Sequence, residues 1–380
     1  MPQGLELISM AEGLAGLRLG QELGVRELGL VTKTIVHRCR FFGLGQKPTF
    51  DFGVGKSGSK EIDPARPIVF TSGQLRAFTN NFDEENLIGP TQFGQVYRGK
   101  IQQGMIGREA QDVIVKIWDE HSYRLILTDD YVMVKEEVLF LTHPSAHLHP
   151  NLVNLIGFCC EREVTGVVYD LNPLDTLHNL MMKDDFNWLQ RIKVAIEFAR
   201  LLEFLHGQDK PYLVLNIDAW HIMLDQDYNP ILFDFGLMSG GIIGELSVQK
   251  KLIPMSPGYV DLCFATIGGW WETCCDVFSY GVILLGLIAK RVVNKDKFGL
   301  ISSTDLLVDE WAKKEYKPNC SLVHNSLERH SGYYAPDGLV ITELAMRCIK
   351  FAPETRPAMK EVVECLGTLQ VHGDAIAASN

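Results

Sequence analysis

No stretch of this 380-residue chain is both long and apolar enough to cross a bilayer. The longest apolar run, Val277 to Ala289, falls short of the roughly 20 residues a membrane helix needs. It also carries Ser279, Tyr280 and two glycines, so it reads as a helix buried in a domain core. The N-terminus lacks the basic start, apolar run and small-residue cleavage site of a secretory signal. Pro2 stands where a myristoylation signal needs glycine. Positive charge is in deficit: 36 Lys and Arg against 47 Asp and Glu leave a formal charge of −11. That argues against a nucleic-acid partner, because phosphate backbones are gripped by excess Lys and Arg. The nine cysteines never form a C-x-x-C pair. The neighbours Cys159-Cys160 and Cys274-Cys275 are badly placed to bridge each other and wrongly spaced for zinc. These absences point to a cytoplasmic protein with reduced thiols, free or at the inner face of the plasma membrane. No intrinsic membrane attachment is expected.

What is present is an ordinary globular composition, 46% hydrophobic and 22% charged, with enough length for one two-lobed domain and a leader. Residues 1–67 form that leader, rich in Gly and Leu and then basic around Lys33, Arg38 and Arg40, and are expected to be flexible or loosely packed. Leu17, Leu19, Leu23, Leu28 and Leu30 hint at a short amphipathic helix that the glycines weaken. HRCRFF, with Cys39, reads as a solvated charge cluster ahead of a lipidated anchor. Two matches in the leader are decoys. GVGKS lacks the earlier glycine of a phosphate loop, since position 50 is Phe, and Asp51-Phe52-Gly53 precedes any strand that could use it.

From Phe70 the pattern becomes dense. FTSGQLRAFTNNF predicts a short helix capped by Thr71 or Ser72. Strands are expected around GQVYRGKI, DVIVKIW, LVNLIGFCCE and GVVYDL, with a helix from Tyr131 to Leu141 between them. WLQRIKVAIEFARLLEFLHG then places Ile192, Ala195, Ile196, Ala199, Leu202 and Leu205 on one helical face. Helical segments continue to MKEVVECLGTL. A sheet-rich part followed by a helical part predicts an α+β fold of two lobes, residues 68–170 and 171–370, with a tail at 371–380.

The segments LRAFTNNFDEENLIG, FGQVYRGK, VIVKIW, HPNLVNLIGFCCE, NWLQRIKVAIEFARLLEFLHG, IMLDQDYNPILFDFGL, DVFSYGVILLGLIAKR and RPAMKEVVE follow in order. In this they resemble the receptor-like kinases and receptor-like cytoplasmic kinases of plants, over Phe70 to about Leu369. The resemblance implies a bilobal kinase fold and sets each site residue against a role in phosphoryl transfer. The nucleotide-binding set would be Gly89, Thr91, Gly94, Val96, Ile114, Lys116, Glu137, Asp170, Leu171 and Met223. Thr91 replaces the middle glycine of the phosphate cradle, and a β-branched residue behind Pro90 stiffens that turn. Lys116 and Glu137 match the family's Lys–Glu pair. Ile114 replaces an alanine in the roof of the adenine pocket, and the hinge falls at Asp170-Leu171.

The catalytic loop maps onto Val214 to His221, in a register fixed by the thirteen-residue step from His221 to Asp234. Asn216 then stands for the aspartate base, Asp218 for the lysine that neutralises the transferring phosphate, and His221 for the metal-binding asparagine. An amide accepts no proton at neutral pH, and Asp218 reverses a charge. A register shifted to make Asp218 the base is the alternative, with Met223 then in the metal position. Asp234, in Asp234-Phe235-Gly236, keeps one potential metal ligand. Leu215 replaces the arginine that reads loop phosphorylation. Cys263 replaces a glutamate that pairs with Arg356, which therefore needs another partner, and Asp276 is expected to support the catalytic loop. The combination implies a pseudokinase acting as a signalling adaptor or allosteric scaffold, with signalling kinases or receptors as partners. ATP and Mg²⁺ would bind weakly or not at all, and neither would be required. The alternatives are a low-activity ATP-dependent serine/threonine kinase and a nucleotide sensor.

Overall fold

The structure is a computed structural model that describes residues 67–91, 93–105, 109–119, 132–244, 256, 258–261, 272–293 and 307–370. The features expected of residues 1–66, the two decoy motifs among them, Cys39, Cys263 and the tail lie outside the described residues.

The first lobe is a six-stranded sheet with helices against it. Strand β1 (Ile68–Val69) leads into helix α1 (Ser72–Phe78), followed by β2 (Leu87–Thr91), β3 (Gly94–Ile101) and β4 (Gln111–Trp118). Helix α2 (Val132–Leu141), β5 (Asn154–Cys160) and β6 (Thr165–Asp170) complete it. The spatial order is β1-β5-β6-β4-β3-β2, antiparallel except for β1 against β5. Helix α1 starts on a capping box, in which Thr71 accepts from the Gln74 backbone and the Gln74 side chain accepts from Thr71 N–H. Successive side chains of a strand point to opposite faces, and on β4 both faces are buried. Val113 and Val115 pack with Leu75 and Phe78 of α1, whereas Ile114 turns to the large core that continues into the second lobe.

The second lobe begins with β7 (Asp175–Thr176) and α3 (Leu177–Met181), and is built on α4 (Trp188–His206). The predicted face of α4 is the buried one, from Ile192 to Leu205. Short strands follow: β8 (Tyr212–Leu213), β9 (Ile222–Leu224), β10 (Pro230–Leu232) and β11 (Ser239–Gly240). They pair as two small ribbons, β10-β9-β7 and β11-β8. Helix α5 (Thr273–Ala289) is the apolar run seen in the sequence, buried continuously from Cys275 to Ala289. A helix apolar on all sides belongs inside a core. Among the described residues no helix is long and apolar enough to cross a membrane. Helices α6 (Val308–Glu315) and α7 (Ala335–Cys348) pack against it, and α8 (Met359–Gly367) packs mainly on α4. Arg191 of α4 is fully buried, and its hydrogen bonds among the described residues go to backbone carbonyls. Its guanidinium donates to the carbonyls of Lys183, Phe186 and Leu287 and lies over the Phe186 ring, an inward-pointing clasp on the end of α5.

Candidate functional site

The two lobes meet around Lys116. The β4 strand delivers its side chain inward, where Nζ lies 2.6 Å from Glu137 Oε2 of α2 and 2.5 Å from Asp234 Oδ1 of the second lobe. Lys116 and Glu137 are wholly buried, and the ammonium also sits 4.0 Å from the Trp118 ring. The Tyr169 hydroxyl donates to the other Glu137 oxygen. Burial pushes Glu137 up despite the pull of Lys116. Burial opposes the charge on Asp234 too, but Lys116 and His221 override it and hold that carboxyl well below the usual range.

Residues 214–221 link β8 to β9 above the start of α5. Asp276 of α5 accepts from the backbone N–H groups of Val214 and Leu215, each at 2.8 Å, and lies 3.1 Å from His206 Nε2. Leu215 adopts a left-handed backbone (φ 62°), an uncommon conformation for a branched residue, and the Asp276 carboxylate sits directly on its N–H. Above that support, the side chains bind one another. Asn216 donates toward Asp234 (3.4 Å) and accepts from the Ser256 hydroxyl (3.2 Å). Asp218 accepts from the backbone N–H of Trp220 (2.7 Å) and His221 (3.0 Å), and from the Ser256 hydroxyl. It is fully buried, so the carboxylate that a shifted register would use as base faces inward with its oxygens engaged. His221 Nδ1 lies 2.8 Å from the Asn216 carbonyl and Nε2 lies 3.1 Å from Asp234 Oδ2. The ring is thus set, buried, between the Asn216 carbonyl and the Asp234 carboxylate.

This donor set does not fit Mg²⁺. That ion needs oxygen ligands in octahedral geometry at about 2.0–2.1 Å, yet one Asp234 oxygen is held by an ammonium and the other faces His221. Among the described residues no group of three or more His, Cys, Asp or Glu side chains could hold a metal ion.

The residues that the resemblance assigns to a nucleotide are likewise engaged with the protein itself. Strands β2 and β3 stay paired as far as Thr91 and Gly94, and Thr91 is nearly buried. Gly94 is needed by the sheet itself, because a Cβ there would lie 1.8 Å from the Ile117 carbonyl oxygen. Ile114 pairs directly with Tyr169 across the ladder, and both pack with Val96 and Met223 in the large core. Asp170 is exposed and accepts from the Gln111 side chain, while Leu171 is half-buried. The lobes are further joined by Arg98 of β3, which donates to the carbonyls of Pro173 (2.8 Å) and Leu174 (2.9 Å).

Two residues escaped the sequence reading. Arg356, expected to need a new partner, finds Asp261, two positions upstream of Cys263, and also donates to the carbonyls of Lys350, Phe351 and Cys274. An acid in the otherwise apolar stretch Tyr259-Val260-Asp261-Leu262 was the available signal. Trp220 is the second. Its indole stacks on His178 and reaches Gly89 of β2 in the other lobe. Nothing in the loop motif constrains that position.

Comparison with known proteins follows the same outline. The sequence profile of the family described as protein tyrosine and serine/threonine kinase matches residues 82–366. Among curated proteins, the chain is 33% identical over 308 residues to probable serine/threonine-protein kinase PBL12 of Arabidopsis thaliana, covering 80% of this chain and 70% of that protein. It is 32% identical over 320 residues to EPD1-interacting receptor-like cytoplasmic serine/threonine-protein kinase 5D of Gossypium barbadense, covering 82% and 66% respectively. For probable serine/threonine-protein kinase PBL7 of Arabidopsis thaliana the identity is 30% over 324 residues, covering 83% and 81%.

Proposed function

The chain belongs to the protein tyrosine and serine/threonine kinase family, and from that premise we propose that it is a pseudokinase of the plant receptor-like cytoplasmic type. The observation that carries this reading is the closed hydrogen-bond network of the catalytic loop. Asn216, Asp218, Ser256, His221 and Asp234 bind one another where a kinase needs a free base, a cation for the transferring phosphate and a metal. Loss of a positioned base alone costs about 10²–10⁴-fold in rate. A carboxylate in place of the lysine adds repulsion toward the transferring phosphate.

In this reading the domain works as an adaptor or allosteric scaffold in the cytoplasm, held by other proteins rather than by nucleic acid or lipid. Relatives described as EPD1-interacting kinases support partners of the receptor-proximal signalling class. ATP and Mg²⁺ bind weakly or not at all, and the fold requires neither. A second reading, a low-activity serine/threonine kinase, is favoured by the relatives' names and by the retained Lys116, Glu137 and Asp234. One assay separates them. Purified protein with labelled ATP and Mg²⁺ or Mn²⁺ gives no transfer to itself or to a general protein substrate. Robust labelling that Asn216→Ala or Asp234→Ala abolishes would establish the kinase instead.

A further inference from the structure

Trp220 lies where the two lobes face each other. Its indole stacks on the His178 imidazole, with ring centroids 3.9 Å apart and planes 17° from parallel. A Cβ added at Gly89 would meet indole Cζ3 at 2.5 Å, so strand β2 rests directly on the ring at that position. The mount is firm. Trp220 N–H donates to Asp218 (2.7 Å), and the backbone N–H of His178 on α3 donates to the Ala219 carbonyl (2.9 Å). The indole Nε1 is buried and has no hydrogen-bond partner among the described residues. The ring is therefore held by its faces and edge, as a filler, and not by its polar atom. A tryptophan carries about 150–250 Å² of contact surface. Carried by the loop that links β8 to β9, it stands between Gly89 of β2 and His178 of α3, where the two lobes meet.

We propose that Trp220 is a built-in occupant of the cleft, which holds the lobes at their closed spacing and excludes the ribose-phosphate part of an adenine nucleotide. This deepens the pseudokinase reading and rests on it only in that the cleft is not used for turnover. It also gives Gly89 a role unconnected with phosphate: the position stays without a side chain because the indole fills the space.

Two measurements on the full chain test it. The first is a double-mutant cycle read by thermal melting. Gly89→Ala lowers the Tm of the wild type, because the new methyl meets the indole, but leaves the Tm of Trp220→Ala unchanged within a degree or so. The second compares Ile114→Ala with Ile114→Ala/Trp220→Ala in millimolar ADP, with Mg²⁺ and with EDTA. The double variant gains an ADP-dependent rise of at least ~2–4 °C, and the single variant does not respond. Trp220→Phe, whose ring is shorter, serves both arms should the alanine variants fail to fold. Equal Gly89→Ala penalties in the two backgrounds overturn the proposal. So does an equal ADP response in the two proteins, whether present or absent. The labelled-ATP assay on the wild type reports separately on the pseudokinase reading, so the two can fail independently.

Discussion

Asp261 and Arg356 pair across 95 positions of sequence, with the guanidinium almost wholly enclosed. Removing one partner of a buried pair leaves an uncompensated charge and costs about 3–5 kcal/mol. Asp261→Ala is therefore expected to lower the urea midpoint by that equivalent at unchanged m-value, whereas adding Cys263→Glu to it recovers part of the loss. At this scale the sequence was legible wherever a motif names the residue. Lys116, Glu137, Asn216, Asp218, His221 and Asp234 all converge on one buried cluster. Asp261 and Trp220 were not legible, because each occupies a position the motifs leave open. What they touch depends on chain segments distant in sequence, which neither periodicity nor spacing encodes.

The hairpin of β2 and β3 shows how an element can keep a motif for a different reason. The outer glycines of the cradle survive, but Gly94 is pinned by the Ile117 carbonyl and Gly89 by an indole. Gly94→Ala is expected to force β3 away from β4 and to destabilise the protein by about 1–3 kcal/mol or more, measured by thermal melting without any ligand. A glycine kept only for phosphate would show no such loss. Helix α4 was readable from its periodicity and α5 from its unbroken apolar run, and of the two residues offered as the cap of α1 the structure uses Thr71. Strands β1, β7, β8 and β11 were not. Each is two residues long, too short for alternation to register, and β1 exists through pairing of Ile68 with Gly157 and Val69 with Phe158.

Across the whole molecule, Lys116 is the tie that joins β4, α2 and the second lobe. Lys116→Ala, the usual substitution for disabling a kinase, would here strand Glu137 and Asp234 as buried carboxylates. It is expected to lower the Tm in nucleotide-free buffer, by the equivalent of about 3–5 kcal/mol, so its loss of any binding partner would report unfolding as well as chemistry. The two-lobed plan was visible in the sequence because it follows from the order of strand-like and helix-like segments. The contacts between the lobes, such as those of Arg98 with the Pro173 and Leu174 carbonyls, were not, since they arise only when both lobes are assembled. One support underlies that assembly differently from the rest. Asp276 grips main-chain N–H groups at positions 214 and 215, groups that every residue except proline carries. The curve of the loop is thus set without reference to the side chains mounted on it. Such a loop is a socket whose fittings can be exchanged one at a time, leaving inert and reactive versions of this domain separated by a few substitutions rather than by a new architecture.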